Sequence, residues 1–235
     1  MINSQSQSPH WQQRIKKIKM ETSKHEEQKQ EVMLGQAQQP STNWQEKTEL
    51  ELLAKVYEYA SNGLRIGKSK QAREWLKQKQ LNAEQTMACF NSGQLHHRKE
   101  IAFKEALERI GFMKKSNVGT NCDSIPYTVF GNFSIMFPLR NTENEIVNFY
   151  AIGLRNNKTA FLNHEGLYPN YPHELTKKLY ITDNILDCAT LMESKILDNR
   201  EAVIALYDGV FLEQHVKVIQ GLKNLTEVIQ IKTKK

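Results

Sequence analysis

The chain has 235 residues, 39% of them hydrophobic, which suits one or two domains. Its net charge of +6 fits either an ordinary basic protein or one that binds an anionic partner such as nucleic acid. Cys89, Cys122 and Cys188 lie far apart, which excludes a C-x-x-C zinc site and a disulfide framework and predicts a cytoplasmic protein. The sequence has no apolar run of about 18 residues and no signal peptide, so we expect no membrane contact.

Residues 1–45 are rich in Gln, Lys, Ser and Glu. The apolar side chains here are too scattered to anchor a core, so the composition predicts a disordered, polar and basic tail. The basic stretch at 14–19 fits a phosphate contact or a solvated charged segment, and the second is the more common meaning of such a run.

Residues 46–115 are predicted to form a small helical unit. Apolar residues recur at helical spacing over residues 50–60, and a second helix follows Ser69 as its N-cap. A third helix is predicted over residues 82–90 and a fourth over 101–110, each ended by a glycine-containing step.

Residues 116–178 are predicted to contain a β-hairpin. Two apolar runs at 133–139 and 146–152 flank the turn sequence Asn-Thr-Glu-Asn at 141–144. Residues 158–162 fit a third strand, and the stretch that follows is rich in turn-forming residues.

Residues 179–235 alternate between buried strands and helices. The predicted order is strand 179–182, helix 187–197, strand 202–206, helix 212–222 and strand 228–231. Continuous apolar strands that alternate with helices indicate a parallel βαβαβ sheet, so the fold class is α+β at first and α/β at the end. Ligands bind at the carboxyl ends of such strands, which predicts that Asp183 and Asp208 lie at the functional rim.

Several of these segments resemble bacterial DNA primases of the DnaG type. Ile-Met-Phe-Pro-Leu-Arg at 135–140 and Ile-Val-Asn-Phe-Tyr at 146–150 are similar to two strands of these enzymes, and Phe-Leu-Asn at 161–163 is similar to the Tyr-Leu-Asn that follows. Residues 179–187 resemble the strand that leads into the Glu-Gly-x-x-Asp motif of the family's toprim domain, its metal-binding α/β domain. The resemblance covers roughly residues 50–232 and is strongest to divergent primases of mobile elements.

The resemblance implies a function in DNA replication or in mobile elements. It implies synthesis of a short RNA primer on single-stranded DNA from nucleoside triphosphates, with Mg²⁺ as the cofactor and a replicative helicase as a partner. Divalent ions are needed because the triphosphate concentrates negative charge at the reacting atoms. By the same resemblance, Asp183 stands at the catalytic glutamate and is the implied metal ligand, and Asp187 is the second acid of the motif.

The chain departs from the family's pattern at this motif and beyond it. Asp183 is one methylene shorter than glutamate, and Asn184 replaces a glycine whose positive φ an asparagine also tolerates. The third strand should lead into an Asp-x-Asp pair, yet residues 229–235 are Ile-Gln-Ile-Lys-Thr-Lys-Lys. We therefore expect an incomplete, C-terminally truncated toprim domain.

Five basic residues are the candidate nucleic-acid contacts, namely Arg140, Arg155, Lys158, Lys177 and Lys178. Tyr150, Phe161 and Tyr168 are candidates for base stacking, although core packing explains the first two as well.

The acidic residues also have purely structural explanations. Asp183 can be part of an acidic turn before a helix, and Asp187 can be a first-turn acid that the helix dipole favours. Asp208-Gly209 is typical of a loop turn. Three functions therefore stay open: a primase with a degenerate metal site, a non-catalytic protein that binds single-stranded nucleic acid, and a remnant without function.

Overall fold

Three α-helices lie in the described residues of the first part of the fold. The computed structural model describes residues 43–65, 69–116 and 127–232, so the predicted tail lies almost wholly outside the described residues. The helices, which confirm three of the four predicted, are α1 (Glu49–Arg65), α2 (Lys70–Gln78) and α3 (Ile101–Arg109). All belong to the unit Trp44–Lys235, as do the strands described below. None of the helices in this described part is long and apolar enough to cross a membrane.

The helix predicted over residues 82–90 is wrong. The Asn82 side chain accepts hydrogen bonds from the backbone N–H groups of Glu84 and Gln85, at 2.8 and 3.2 Å, which starts a single turn. Met87 then adopts a φ of +54°, which a continuing helix cannot contain. After the turn the chain forms strand β1 (Cys89–Asn91), because Cys89 and Phe90 are buried there as part of a sheet.

Five further strands precede the last part of the fold. They are β2 (Met113–Lys115), β3 (Tyr127–Val129), β4 (Ser134–Arg140), β5 (Ile146–Gly153) and β6 (Thr159–Phe161). The predicted hairpin is β4–β5, and β6 is the predicted third strand. β1 joins them in an antiparallel sheet of order β1-β4-β5-β6, here called the hairpin sheet, and β2 pairs with β3. Both pairings cross the boundary predicted near residue 116.

The hairpin sheet is covered on both faces, which explains why β4 and β5 are apolar throughout rather than alternating. Phe137, like Tyr150, faces a core shared with α2. Met136 and Phe149 face the opposite way, into a core shared with α1 and α3.

The last part of the chain forms the predicted parallel sheet. Its elements are β7 (Lys178–Thr182), α4 (Ile185–Glu193), β8 (Glu201–Ala205), α5 (Glu213–Gly221) and β9 (Glu227–Ile231). The strand order is β8-β7-β9, with both pairs parallel. The buried central strand β7 therefore delivers the residues that follow it to the middle of the sheet's carboxyl edge.

Candidate functional site

Asp183 and Asp208 both lie at the carboxyl edge of the parallel sheet, as predicted. Thr182 is in register with Ala205, so both chains leave the sheet at the same edge. The Gly209 N–H donates to the Asp183 carbonyl oxygen at 2.6 Å, and this bond holds the loop after β8 against the end of β7. We call this pair of carboxylates and the backbone that joins them the acidic edge.

Asp183 is half-buried at the centre of the acidic edge. Its Oδ1 accepts a hydrogen bond from the Gln230 Nε2 at 3.3 Å, so a side chain of the neighbouring strand β9 fixes the carboxylate. Thr182 pairs with Ile231, the last residue of β9, and Lys232 follows directly after it. The acidic edge therefore has an exposed cation at its β9 side.

Asp208 and Gly209 form a tight turn, which confirms the turn predicted for this Asp-Gly pair. Asp208 and Gly209 have φ values of +49° and +86°, and Tyr207 and Val210 exchange backbone hydrogen bonds of 3.3 and 3.0 Å. Two positive φ values define a type I′ turn, in which glycine is strongly preferred at the second position. The turn holds the Asp208 carboxylate where Tyr150 Oη and Thr159 Oγ1 each donate to it at 3.4 Å.

Tyr207 joins the acidic edge to the hairpin sheet. Its hydroxyl donates to the carbonyl oxygens of Glu165 and Gly166 and accepts from Asn148 Nδ2 at 3.1 Å. Its ring stacks on Phe161 with centroids 4.1 Å apart. Burial raises the pKa of Tyr207, so the phenol keeps its proton as a hydrogen-bond donor.

Asp187 belongs to the start of α4. Asn184 is the N-cap: its Oδ1 accepts from the Asp187 N–H at 2.9 Å, and its Nδ2 donates to the Asp187 carboxylate at 2.7 Å. Asn184 has a φ of −148°, so the turn does not need the positive φ that we expected there. The contact gives Asp187 a capping partner, and its catalytic role stays a prediction.

Arg155 and Lys158 lie beside the acidic edge. Both are exposed in the turn at 154–158 between β5 and β6, here called the basic turn. Thr159, which follows Lys158 directly, contacts Asp208. The Arg155 guanidinium packs over the Phe133 ring at 4.4 Å, which leaves its charge at the surface.

The structure does not bring Arg140 to the acidic edge. Arg140 pairs with Ile146 at the opposite end of the hairpin from Gly153, about 20 Å along the strands. Its guanidinium donates to the Asn144 carbonyl oxygen at 2.6 Å and therefore caps the hairpin turn.

Lys177 and Lys178 are also distant from the acidic edge. They lie at the amino end of β7, roughly 16 Å from Asp183 for a five-residue strand. Lys178 forms ion pairs of 3.3 Å with Glu201 and Glu227, which raise its pKa. A cavity of about 460 Å³ opens at this amino edge, lined in part by Lys177 and Arg200. Contact of Lys177 and Lys178 with nucleic acid stays a prediction. Both residues lie at the amino edge of the parallel sheet, opposite the acidic edge.

The stacking candidates are mostly unavailable to a ligand. Tyr168 is fully buried and its hydroxyl donates to the Thr86 carbonyl oxygen at 2.9 Å, so the prediction of base stacking there is wrong. Tyr150 is 3% exposed, and Phe161 lies between the Tyr150 and Tyr207 rings. Phe211, which no sequence pattern singled out, is 45% exposed two residues after the Asp208-Gly209 turn. Its signal was an apolar pair, Val-Phe, placed directly after an Asp-Gly turn.

The acidic edge offers two carboxylates to a metal ion. Among the described residues, no three His, Cys, Asp or Glu side chains are grouped so that they could hold one. Mg²⁺ usually takes only one or two protein carboxylates and completes its shell with water and phosphate. Asp183 Oδ1 contacts Gln230 of β9, and the Asp208 carboxylate contacts Tyr150 and Thr159, so the two carboxylates do not form a closed metal cage.

Known proteins match this chain by structure and not by sequence. No protein-family model matches the chain, and no curated protein matches it by sequence. The solved DnaG primase catalytic domain bound to single-stranded DNA, however, matches 77% of the chain with a TM-score of 0.62 at 14% identity. The chain has the fold of a DnaG primase catalytic domain.

Two further primase structures share this fold. A DNA primase domain from Pseudomonas aeruginosa matches 77% of the chain with a TM-score of 0.61 at 16% identity. The RNA polymerase domain of Mycobacterium tuberculosis primase DnaG, in complex with double-stranded DNA, matches 78% with a TM-score of 0.57 at 15% identity. The chain spans 59%, 60% and 62% of the three primase chains. The resemblance predicted from the sequence is thus confirmed for the primase fold.

Proposed function

We propose that this chain is a primase-like protein that binds single-stranded DNA and joins ribonucleotides into a short RNA primer, in the replication of a cell or a mobile element. The observation that carries the proposal is the acidic edge, where Asp183 and Asp208 meet beside the basic turn in a primase fold. A similar primase domain is bound to single-stranded DNA, which supports the choice of substrate.

Arg155 and Lys158 would bind the phosphates of the template. Both side chains are exposed, and neither forms a salt bridge among the described residues. Each phosphate contact releases counterions, so the affinity for single strands should fall as the salt concentration rises.

Asp183 and Asp208 would hold Mg²⁺ at the acidic edge. When bound, the ion supplies positive charge that neutralises the triphosphate. Primer synthesis joins the 3′-hydroxyl oxygen of one nucleotide to the α-phosphorus of the next, releases pyrophosphate and passes the hydroxyl proton to water. Asp183 is shorter than a glutamate, and a displacement on the order of an ångström can lower a rate about a hundredfold, so we propose slow synthesis.

A second function, binding of single-stranded nucleic acid without catalysis, is favoured by Lys232. Lys232 directly follows β9 at the carboxyl edge, and its ammonium group would compete with a divalent cation for the Asp183 carboxylate. In this case Arg155 and Lys158 would still bind phosphates, and Mg²⁺ would have no effect. A remnant without function would bind neither DNA nor Mg²⁺.

A paired assay separates these functions. Binding of labelled single-stranded DNA is measured by fluorescence anisotropy with and without Mg²⁺, and primer synthesis is followed with labelled nucleoside triphosphates. We expect Mg²⁺-dependent synthesis that Asp183→Asn abolishes, while Asp198→Asn, the same change at an exposed site on the amino edge, leaves it unchanged. Binding without synthesis would leave the non-catalytic function, and no binding at all would overturn both.

A further inference from the structure

Three apolar side chains are exposed within seven residues next to the acidic edge. Val210, Phe211 and Val216 are 54%, 45% and 42% exposed. Single exposed apolar residues are common and need no explanation. Phe211 is different because the structure fixes its position as well as exposing its ring.

The backbone before Phe211 is held on both sides. The type I′ turn closes through the two hydrogen bonds between Tyr207 and Val210, and the Gly209 N–H donates to the Asp183 carbonyl oxygen. Consecutive Cα atoms lie about 3.8 Å apart, so the Phe211 Cα is within roughly 7.6 Å of the Gly209 Cα. Phe211 therefore follows directly on a turn that is anchored to the end of β7 beside Asp183.

The ring of Phe211 rests on a buried histidine. It packs edge-to-face against His215 with centroids 5.6 Å apart. His215 is in turn fixed by two hydrogen bonds: its Nε2 bonds the Ala205 carbonyl oxygen at 3.1 Å and its Nδ1 accepts from the Leu212 N–H at 2.9 Å. An aromatic ring so supported, with nearly half of its surface open, needs little ordering when a flat ligand binds.

The surroundings of Phe211 suit a strand with bases and phosphates. A chain of ring contacts joins Phe211 to the strand after the basic turn: His215, on which Phe211 packs, lies 5.8 Å from the Tyr207 ring, and Tyr207 stacks on Phe161 of β6. Asp208, which follows Tyr207, contacts Thr159 directly after the basic turn. A single strand that lies with its phosphates toward Arg155 and Lys158 can therefore lay a base toward Phe211. Three side chains fall far short of the 20 to 30 residues per side of a standard protein interface.

We propose that Phe211 is the stacking platform for one unpaired base of a single strand bound at the acidic edge. The proposal rests on the proposed function and deepens it by naming how a base is held. Stacking suits this position because every base has a π face, so the contact stabilises single strands without selecting a sequence. The Tyr150 and Tyr168 rings are too buried to take this role.

The test measures binding of two labelled strands of equal length, one with bases and one fully abasic. We expect Phe211→Ala to weaken binding of the normal strand about tenfold. Phe211→Tyr should keep the affinity, and Leu175→Ala, which removes another exposed apolar side chain, should leave it unchanged. On the abasic strand, wild type and Phe211→Ala should bind equally, because no base remains to stack.

Four results would overturn the proposal. Equal binding of the normal strand by wild type and Phe211→Ala would show that the ring contributes nothing. A loss that persists on the abasic strand would assign the effect to the fold or to phosphates. A change of oligomeric state in Phe211→Ala, measured by sedimentation, would identify a second copy of the chain as the occupant. If wild type binds neither strand, the proposed function itself fails, and this inference fails with it.

Discussion

His215 is buried, and both of its ring nitrogens form hydrogen bonds to the backbone. The Leu212 N–H donates to Nδ1, so the neutral ring carries its proton on Nε2 and donates it to Ala205. A second proton on Nδ1 would break the bond at the start of α5. Burial accordingly lowers the pKa of His215 below its usual 6.5.

This pKa predicts a pH-dependent stability. Below about pH 6.5 the unfolded chain binds more protons at this histidine than the folded chain does, so the contribution of His215 is complete above that pH and declines below it. Urea unfolding at about pH 7.5 and 5.5 should show that the stability lost in His215→Gln is larger at the higher pH. A loss that is equal at both values, or larger at pH 5.5, would contradict the assignment of a neutral ring.

Elements that are fixed by local pattern could be predicted from the sequence. The apolar runs of the parallel strands and of the β4–β5 hairpin are bounded by clear turn sequences, which predict these elements. The Asp-Gly dipeptide predicts the turn at Asp208. β1 was missed because Asn82 begins a helical turn and only Met87 and the pairing with β4 end it. No local signal in the sequence reports that pairing.

The candidate site was predictable in part for the same reason. Strand polarity alone placed Asp183 and Asp208 at one edge. The basic residues could not be sorted, because which end of the hairpin meets the parallel sheet depends on the Tyr207 contacts between the two sheets. Arg155 and Lys158 lie at the end of the hairpin whose neighbouring residue Thr159 contacts Asp208, and Arg140 lies at the opposite end.

Asn184 gives a test at the level of one helix. It caps α4 immediately after Asp183, so its loss frees an N–H group at the start of the helix. Asn184→Ala should lower the free energy of unfolding by about 1 kcal/mol, and Asn184→Ser, which keeps a capping oxygen without adding a negative charge beside Asp187, should cost less. Equal losses in the two variants, measured by urea unfolding, would show that the cap oxygen does not stabilise α4.

At the scale of the whole molecule, the site is made by the contact between two sheets. Asp183 comes from the parallel sheet, and the basic turn comes from the hairpin sheet. Tyr207, Phe161 and Asn148 hold these sheets together through ring stacking and buried hydrogen bonds. Neither sheet alone carries both the acidic edge and the basic turn, so the proposed site exists only in the assembled fold.

Single-stranded DNA binding by two matched double variants tests this account most directly. Arg155→Ala/Lys158→Ala removes the cations of the basic turn, and Arg200→Ala/Lys223→Ala removes the same two residue types from exposed positions before β8 and β9, at the amino edge. We predict that the first variant binds about tenfold more weakly, with a salt dependence reduced by about 1.4 in slope, and that the second binds like wild type. Unchanged binding by the first variant, or an equal loss in both, would contradict a DNA site beside Asp183 and Asp208.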